Sequence, residues 1–486
     1  MSTRKSLLYS FLDRYVALIV NVVSSMILAR LLTPAEIGVY SVTMVLLLYV
    51  AVMRDMGAGQ YLVQVKELTP DKVRAVWCVQ LGLGWLIALA VLLASVPVAH
   101  FYNEPRMKTI LWVVALNYAI NPFGSITYAW LMREMRFMSL AMMRATAAIT
   151  GAIVSVLLAW KGVGPLSLAL GTLASTIVNA LLAVFLRPKN FPWLPGLSDI
   201  RSVLHFGSRI TGSSVLEAVA ASAPELLLGK LQSLTAVGLY SRATGLVQMY
   251  QRLFIDAVAS VCLPWFSAQY RERGVITEPF AKAVDYVSVM GWSFCLALLF
   301  LAQPVVRVLY GDQWGGAVTV VRLLAVAMMF TVPAVLCQSA LMASGGVGRL
   351  APLALRNTIT TVACLAVGAW SGHLEAVGWA TVVASAVNAS RMLRATLKMM
   401  EMPVGFIAQR MLRGLLAALC AGVVPALAFL AFGAAPAQPF WPLLIGISGA
   451  AAGFLLGVFV FRHPIRDELE GVWARVLRPF RRAESQ

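Results

Sequence analysis

Apolar runs of about twenty residues recur along this whole 486-residue sequence, separated by short polar connections. The hydrocarbon core of a bilayer is about 30 Å thick, and roughly 20 apolar residues cross it as a helix. This one pattern predicts an integral membrane protein. Fourteen spans are expected, from the first at 8–29 to the last at 438–461, with the seventh and eighth at 204–228 and 237–264. A porin-like barrel would need alternating segments of about ten residues, whereas Leu81 to Ala99 is continuously apolar, so the spans read as helices. Composition excludes a water-soluble fold, because charged residues make up 12% here against about 25% in soluble domains.

A net charge of +18 raises the question of nucleic acid, and the placement of the charge answers it. With the N-terminus inside, 28 of the 39 Lys and Arg residues fall in inner segments and 6 in outer ones. That alternation is the positive-inside rule. It predicts a multi-pass protein with both termini cytoplasmic and no nucleic-acid partner. The six cysteines, Cys78, Cys262, Cys295, Cys337, Cys364 and Cys420, lie in apolar spans without a C-x-x-C spacing and read as small core residues. Asp13 and Arg14 interrupt the first apolar run and no small-residue cleavage site follows, so the N-terminus is expected to remain uncleaved.

Compared with itself at an offset of 200 residues, the chain repeats. The stretch from Arg30 to Ser41 lies over that from Lys230 to Ser241, matching at Leu31/Leu231, Gly38/Gly238, Tyr40/Tyr240 and Ser41/Ser241. Six spans separate the copies, an even number, so the repeats point the same way and imply an axis along the membrane normal. The expected fold is all-α, with about fourteen transmembrane helices in two pseudo-symmetric six-helix lobes plus an appended helix pair. The bounds are 1–200 for the N-lobe, 201–400 for the C-lobe, 401–461 for the pair and 462–486 for a basic cytoplasmic tail. Gly449, Gly453 and Gly457 predict a small-residue packing face on the last span. In the tail, Ile465, Leu469, Val472, Trp473, Val476 and Phe480 share a face suited to the anionic inner leaflet.

No P-loop, H-E-x-x-H, G-x-S-x-G or D-x-D motif is present, and no connecting loop is long enough to hold a catalytic domain. The expectation is neither an enzyme nor a cofactor protein. The histidines, His100, His205, His373 and His463, fall at span ends and read as interfacial. Ionisable residues inside spans are costly and mark a water-filled path or a pairing site. In span 1, Ser10, Arg14, Asn21, Ser24 and Ser25 follow a three-to-four-residue rhythm; in span 8, Gly245, Gln248, Arg252 and Asp256 do the same. Span 7 carries Ser213, Ser214, Glu217 and Glu225, with Pro224 able to kink it. Guanidinium groups hold phosphate bidentately and keep their charge. Arg14, Asn21, Arg209, Arg242 and Arg252 are therefore the candidate substrate-binding residues, and the cationic cavity they imply suits a phosphate-bearing substrate. Glu217, Glu225 and Asp256 are the candidate cation-coupling residues, for H+ or Na+.

The residues from Leu28 to Tyr40, then Arg54-Asp55-Met56-Gly57, Leu131 to Phe137, and Tyr310-Gly311-Asp312-Gln313-Trp314 resemble the polysaccharide transporter family. That family sits within the multidrug/oligosaccharidyl-lipid/polysaccharide exporter superfamily, and the resemblance is to its colanic-acid-exporter-like branch. It extends over roughly residues 5 to 400 and departs at Glu225, where relatives often carry Asp. It implies a flippase in the bacterial inner membrane whose cargo is undecaprenyl-pyrophosphate-linked oligosaccharide, moved by alternating access, with membrane lipids and a polysaccharide polymerase or export machinery as partners. The competing readings are a peptidoglycan lipid II flippase and a cation-coupled multidrug exporter, with a membrane glycan polymerase or ligase ranked below them.

Overall fold

The computed structural model describes residues 3–55, 59, 61–62, 65, 67–188, 191–192, 194–198, 200–433 and 438–470. Every regular element among them is helical. Nine of the described helices are long and apolar enough to cross a membrane, or ten when one bent pair is counted as a span. This is a multi-pass membrane protein. Large apolar side chains face outward over much of its surface, among them Phe185, Val367 and Leu430, and Trp160 and Trp370 do so at helix ends, the places that bilayer interfaces favour for tryptophan.

By packing, the chain forms two compact units, Met1–Gly238 and Leu239–Gln486. The first contains α1 (Thr3–Leu31), α2 (Pro34–Asp55), α3 (Pro70–Phe101), α4 (Arg106–Ile120), α5 (Pro122–Arg133), α6 (Phe137–Trp160), α7 (Leu166–Leu186) and α8 (Ile200–Leu231). The closest partnerships are α6 with α7, α3 with α4, and α1 with α6. Helix starts follow local chemistry. Thr69 accepts from the Lys72 amide ahead of Pro70 and Asp71, and Thr33 and Glu36 form a reciprocal capping box, with the Thr33 amide 2.8 Å from Glu36 Oε2 and the Glu36 amide 3.3 Å from Thr33 Oγ1. Ser233, 200 residues on, caps the same way, accepting from the Ala236 amide at 3.1 Å.

The sequence predicts one span over 108–131, whereas the structure divides it into α4 and α5 with a 47° bend. Pro122 has no amide hydrogen to continue the ladder, and the break falls at Asn121 beside it. Pro224, by contrast, lies inside a continuous α8.

Within the first unit, α2 meets residues 234–238 through glycine. A Cβ on Gly38 would collide with the Leu234 carbonyl and lie 3.1 Å from the Gly238 nitrogen. A Cβ on Gly238 would collide with the Pro34 carbonyl and lie 3.2 Å from the Gly38 nitrogen. The contact is reciprocal, and both glycines are positions of the sequence repeat. Only a residue without a side chain lets two backbones approach this closely.

The second unit takes in most of α9 (Leu234–Tyr250), a five-residue π-turn (Gln251–Ile255), and α10 (Asp256–Arg273) in continuation. It then holds α11 (Thr277–Tyr310), α12 (Ala317–Thr331), α13 (Cys337–Ala343), α14 (Val347–Trp370), α15 (Leu374–Met399), α16 (Val404–Phe432) and α17 (Phe440–Val460). Its core is α11, whose apolar stretch is mostly buried, whereas that of α14 is mostly exposed or half-buried. α16 and α17 pack on each other and on α11. The expected glycine face makes this packing: side chains on Gly449, Gly453 or Gly457 would run into Val424, Cys420 or Ala417 of α16.

The tail differs from the sequence expectation where it is described. Residues 465–470 are helical, but Ile465 is buried and Leu469 packs with it against Val289, Ala417 and Val458, so these two bury against the second unit rather than lying on lipid. Val472, Trp473, Val476 and Phe480 lie outside the described residues.

Candidate functional site

A partly open groove of about 540 Å³ runs along the second unit between α9, α11 and α17. α9 and the π-turn contribute Leu246, Tyr250 and Phe254, α11 contributes Phe294 among others, and α17 contributes Ala450 and Phe454. Its volume falls within the roughly 300–1,000 Å³ typical of ligand sites. Among the described residues of its wall, none offers a free polar group. Ser293 Oγ donates to the Val289 carbonyl at 2.7 Å, and Tyr250 Oη donates to the Val287 carbonyl at 2.8 Å. With its hydroxyl engaged, the Tyr250 ring stacks on Phe254 at 5.3 Å and on Phe294 at 5.5 Å, forming an aromatic shelf. Such a surface suits an apolar chain and excludes a sugar or phosphate.

The π-turn sets the opposite face of the same helix. Tyr250 and Ile255, five residues apart, are both buried, and Gly245, Gln248, Arg252 and Asp256 are all exposed. The four-residue rhythm of the sequence thus becomes one exposed polar stripe. Arg252 Nη2 lies 3.5 Å from Gln248 Oε1, and Gln251 Nε2 lies 3.5 Å from Asp256 Oδ1. The extra residue of a π-turn rotates the helix faces, and such turns cluster at functional sites. No residue pattern announces this one.

The other predicted site residues are distributed as follows. Arg242 is half-buried, its guanidinium carbon 5.7 Å from the Tyr310 ring and 5.8 Å from that of Trp314, within cation–π range of both. In the first unit Asn21 is exposed on α1, and its carbonyl accepts from Ser24 Oγ at 3.1 Å. Glu225 is half-buried on α8, directly after Pro224. The side chains of Arg14, Arg209 and Glu217 lie outside the described residues, although their backbones belong to α1 and α8.

One charged feature escaped the sequence reading altogether. His463, expected at an interface, is buried, with its Nε2 2.9 Å from Oδ1 of Asp285; their side chains are 0% and 3% exposed. The two are 178 positions apart, so no local spacing could pair them. The available signal was the acid itself, set within the apolar run of α11, since an intramembrane carboxylate calls for a partner.

The profile of the family described as polysaccharide biosynthesis protein matches residues 27–319. The succinoglycan biosynthesis transport protein ExoT of Rhizobium meliloti (strain 1021) is 26% identical over 363 residues, covering 74% of this chain and 72% of the relative. The lipopolysaccharide biosynthesis protein WzxC of Escherichia coli (strain K12) is 22% identical over 310 residues, 63% of each chain. Among solved structures, the lipid II flippase MurJ in an inward closed conformation superposes with a TM-score of 0.78, covering 96% of this chain and 100% of that one. At 14% identity that last likeness is one of fold.

Proposed function

We propose, on the premise that this chain belongs to the polysaccharide biosynthesis protein family, that it is a flippase that exports lipid-linked oligosaccharide across the bacterial inner membrane. The observation that carries this reading is the apolar groove on the same helix as the exposed polar stripe that holds Arg252. A polyprenyl chain needs a surface without unsatisfied polar groups, and a pyrophosphate needs a guanidinium; α9 and its π-turn offer the first on one face and the single guanidinium of Arg252 on the other. The relatives support it, being named for transport of succinoglycan and for lipopolysaccharide biosynthesis.

In this reading the chain crosses the membrane fourteen times with both ends cytoplasmic, as lobes 1–200 and 201–400 with the pair 401–461 appended. The capping pair Thr33/Ser233 and the reciprocal Gly38/Gly238 contact support the repeat on which those lobes rest. Arg14, Asn21, Arg209, Arg242 and Arg252 bind the pyrophosphate and the first sugars. Glu217, Glu225 and Asp256 carry H+ or Na+. Transport proceeds by alternating access without covalent chemistry, and a polymerase or export complex takes the product. The test is depletion in cells: lipid-linked repeat units should accumulate on the inner leaflet, and the wild-type gene should clear them. Normal polymer output without accumulation would refute the reading.

A further inference from the structure

The buried Asp285–His463 pair has no part in the function proposed above, and its surroundings suggest one. His463 follows α17 by three residues, and the turn it begins is tied down at several points. The Ile465 amide donates to His463 Nδ1 at 3.3 Å, which leaves Nε2 to carry the ring proton and donate to Asp285. Tyr286 Oη donates to the Pro464 carbonyl at 3.1 Å, and Lys282 lies 3.4 Å from Glu468. On the third side, a Cβ on Gly414 of α16 would lie 3.4 Å from Asp285 Oδ1 and 3.6 Å from His463 Nε2. Three elements, α11, α16 and the segment after α17, therefore meet at one hydrogen bond, with Gly414 at ordinary contact distance. A carboxylate so buried is costly unless a donor meets it, and its donor comes from the far end of the chain.

This knot adjoins the groove. The apolar cluster around it, built on Val289, Val458 and Ile465, also includes Met290 and Phe454. Both of those side chains line the groove, one from α11 and one from α17. Securing residue 463 to residue 285 thus fixes the spacing of two of the groove's three walls at one end.

We infer that Asp285 and His463 are positioning residues for the lipid, a clasp that holds α17 against α11 at the separation an isoprenoid chain requires. The inference rests on the lipid-linked reading above and adds to it the device that sets the groove's width. Neither residue touches the lipid; each acts through Met290 and Phe454. The clasp is a hydrogen bond, so an amide serves in place of the acid: Asp285→Asn keeps an acceptor for Nε2 and should retain chain binding. His463→Ala removes the donor and frees the turn.

The experiment is photolabelling of the full-length protein in membranes with a benzophenone-bearing polyprenyl phosphate, mapped by mass spectrometry to the groove peptides. Wild type and Asp285→Asn should label alike. In His463→Ala, labelling should fall about tenfold, the effect of losing one hydrogen bond to a charged group. Equal labelling of His463→Ala and wild type overturns the clasp, as does an Asp285→Asn variant that labels no better than His463→Ala, because rescue by the amide separates a clasp from a general need for charge. If His463→Ala does not accumulate in the membrane, Tyr286→Phe takes its place, since it removes the hydroxyl that bonds the Pro464 carbonyl and Lys282 and so ties down the same turn. A modest fall supports the clasp there, and unchanged labelling overturns it. Wild-type protein that takes no label in the groove refutes the lipid-linked reading itself, a result distinct from either failure of the clasp.

Discussion

The second unit treats charge within its helices in two opposite ways. Along α9 and the π-turn, Gln248, Arg252 and Asp256 stand exposed, with side-chain contacts of 3.5 Å from Arg252 to Gln248 and from Gln251 to Asp256. At the start of α11, Asp285 is enclosed with His463 at 2.9 Å, its side chain 3% exposed. Arg252 and Asp256 in the one and Asp285 in the other are ionisable residues within helices, and by insertion cost alone they are equivalent. Their surroundings make the difference: the stripe can be occupied from outside, while the buried pair is committed to the fold. An intramembrane charge is thus evidence of function only once its partner is known.

This comparison can be broken by substituting each kind of charge and measuring two quantities. Arg252→Ala should lower transport of a lipid-linked oligosaccharide in proteoliposomes by at least about tenfold, the loss of a charge-assisted contact of about 1.5–3 kcal/mol, with the melting temperature in detergent unchanged. Arg252→Lys should recover part of the rate, because the charge returns without the bidentate fork. His463→Ala should move the second measure as well, destabilising the protein by about 3–5 kcal/mol by stranding a buried carboxylate. If the two variants shift both quantities equally, the distinction between available and committed charge is lost.

A smaller effect sharpens the same contrast. Glu225 is half-buried on α8, between the two extremes. As a coupling group its Gln variant should transport at a rate that no longer responds to the ion gradient, with stability little altered. Unchanged gradient dependence in both Glu225→Gln and Glu217→Gln would make these carboxylates structural. The smallest effect belongs to a pair that is neither buried nor in the proposed site. Arg410 Nη2 lies 2.8 Å and 3.0 Å from the two Glu278 oxygens, yet the Glu278 side chain is 64% exposed. Arg410→Ala should cost less than about 1 kcal/mol and leave transport intact.

What could be read in the sequence follows the range of the physics involved. Membrane insertion is set residue by residue, so the long apolar helices are visible as hydropathy. The exposed stripe is set by helical periodicity, and Gly245, Gln248, Arg252 and Asp256 were legible from spacing alone. The capping pair Thr33/Ser233 and the close glycine contact were foreshadowed by a repeat of twelve residues. Features that depend on several distant segments were not legible. The groove draws Tyr250, Phe294 and Phe454 from three helices, and each alone looks like an ordinary lipid-facing aromatic. The π-turn lies between the buried Tyr250 and Ile255 and carries no residue signature of its own. His463 resembled an interfacial histidine because the acid that buries it lies 178 positions away.

The claim that unites these features is that one helix offers a lipid chain one face and a pyrophosphate the other. Its most direct test is reconstitution of purified protein into liposomes with a fluorescent undecaprenyl-pyrophosphate-linked oligosaccharide placed in one leaflet. Appearance of the sugar in the other leaflet is followed with a membrane-impermeant quencher. The account predicts that wild-type protein equilibrates the sugar between leaflets and that Arg252→Ala, present at equal amount, does so at least about tenfold more slowly. Wild-type protein that moves the sugar no faster than protein-free liposomes would contradict it.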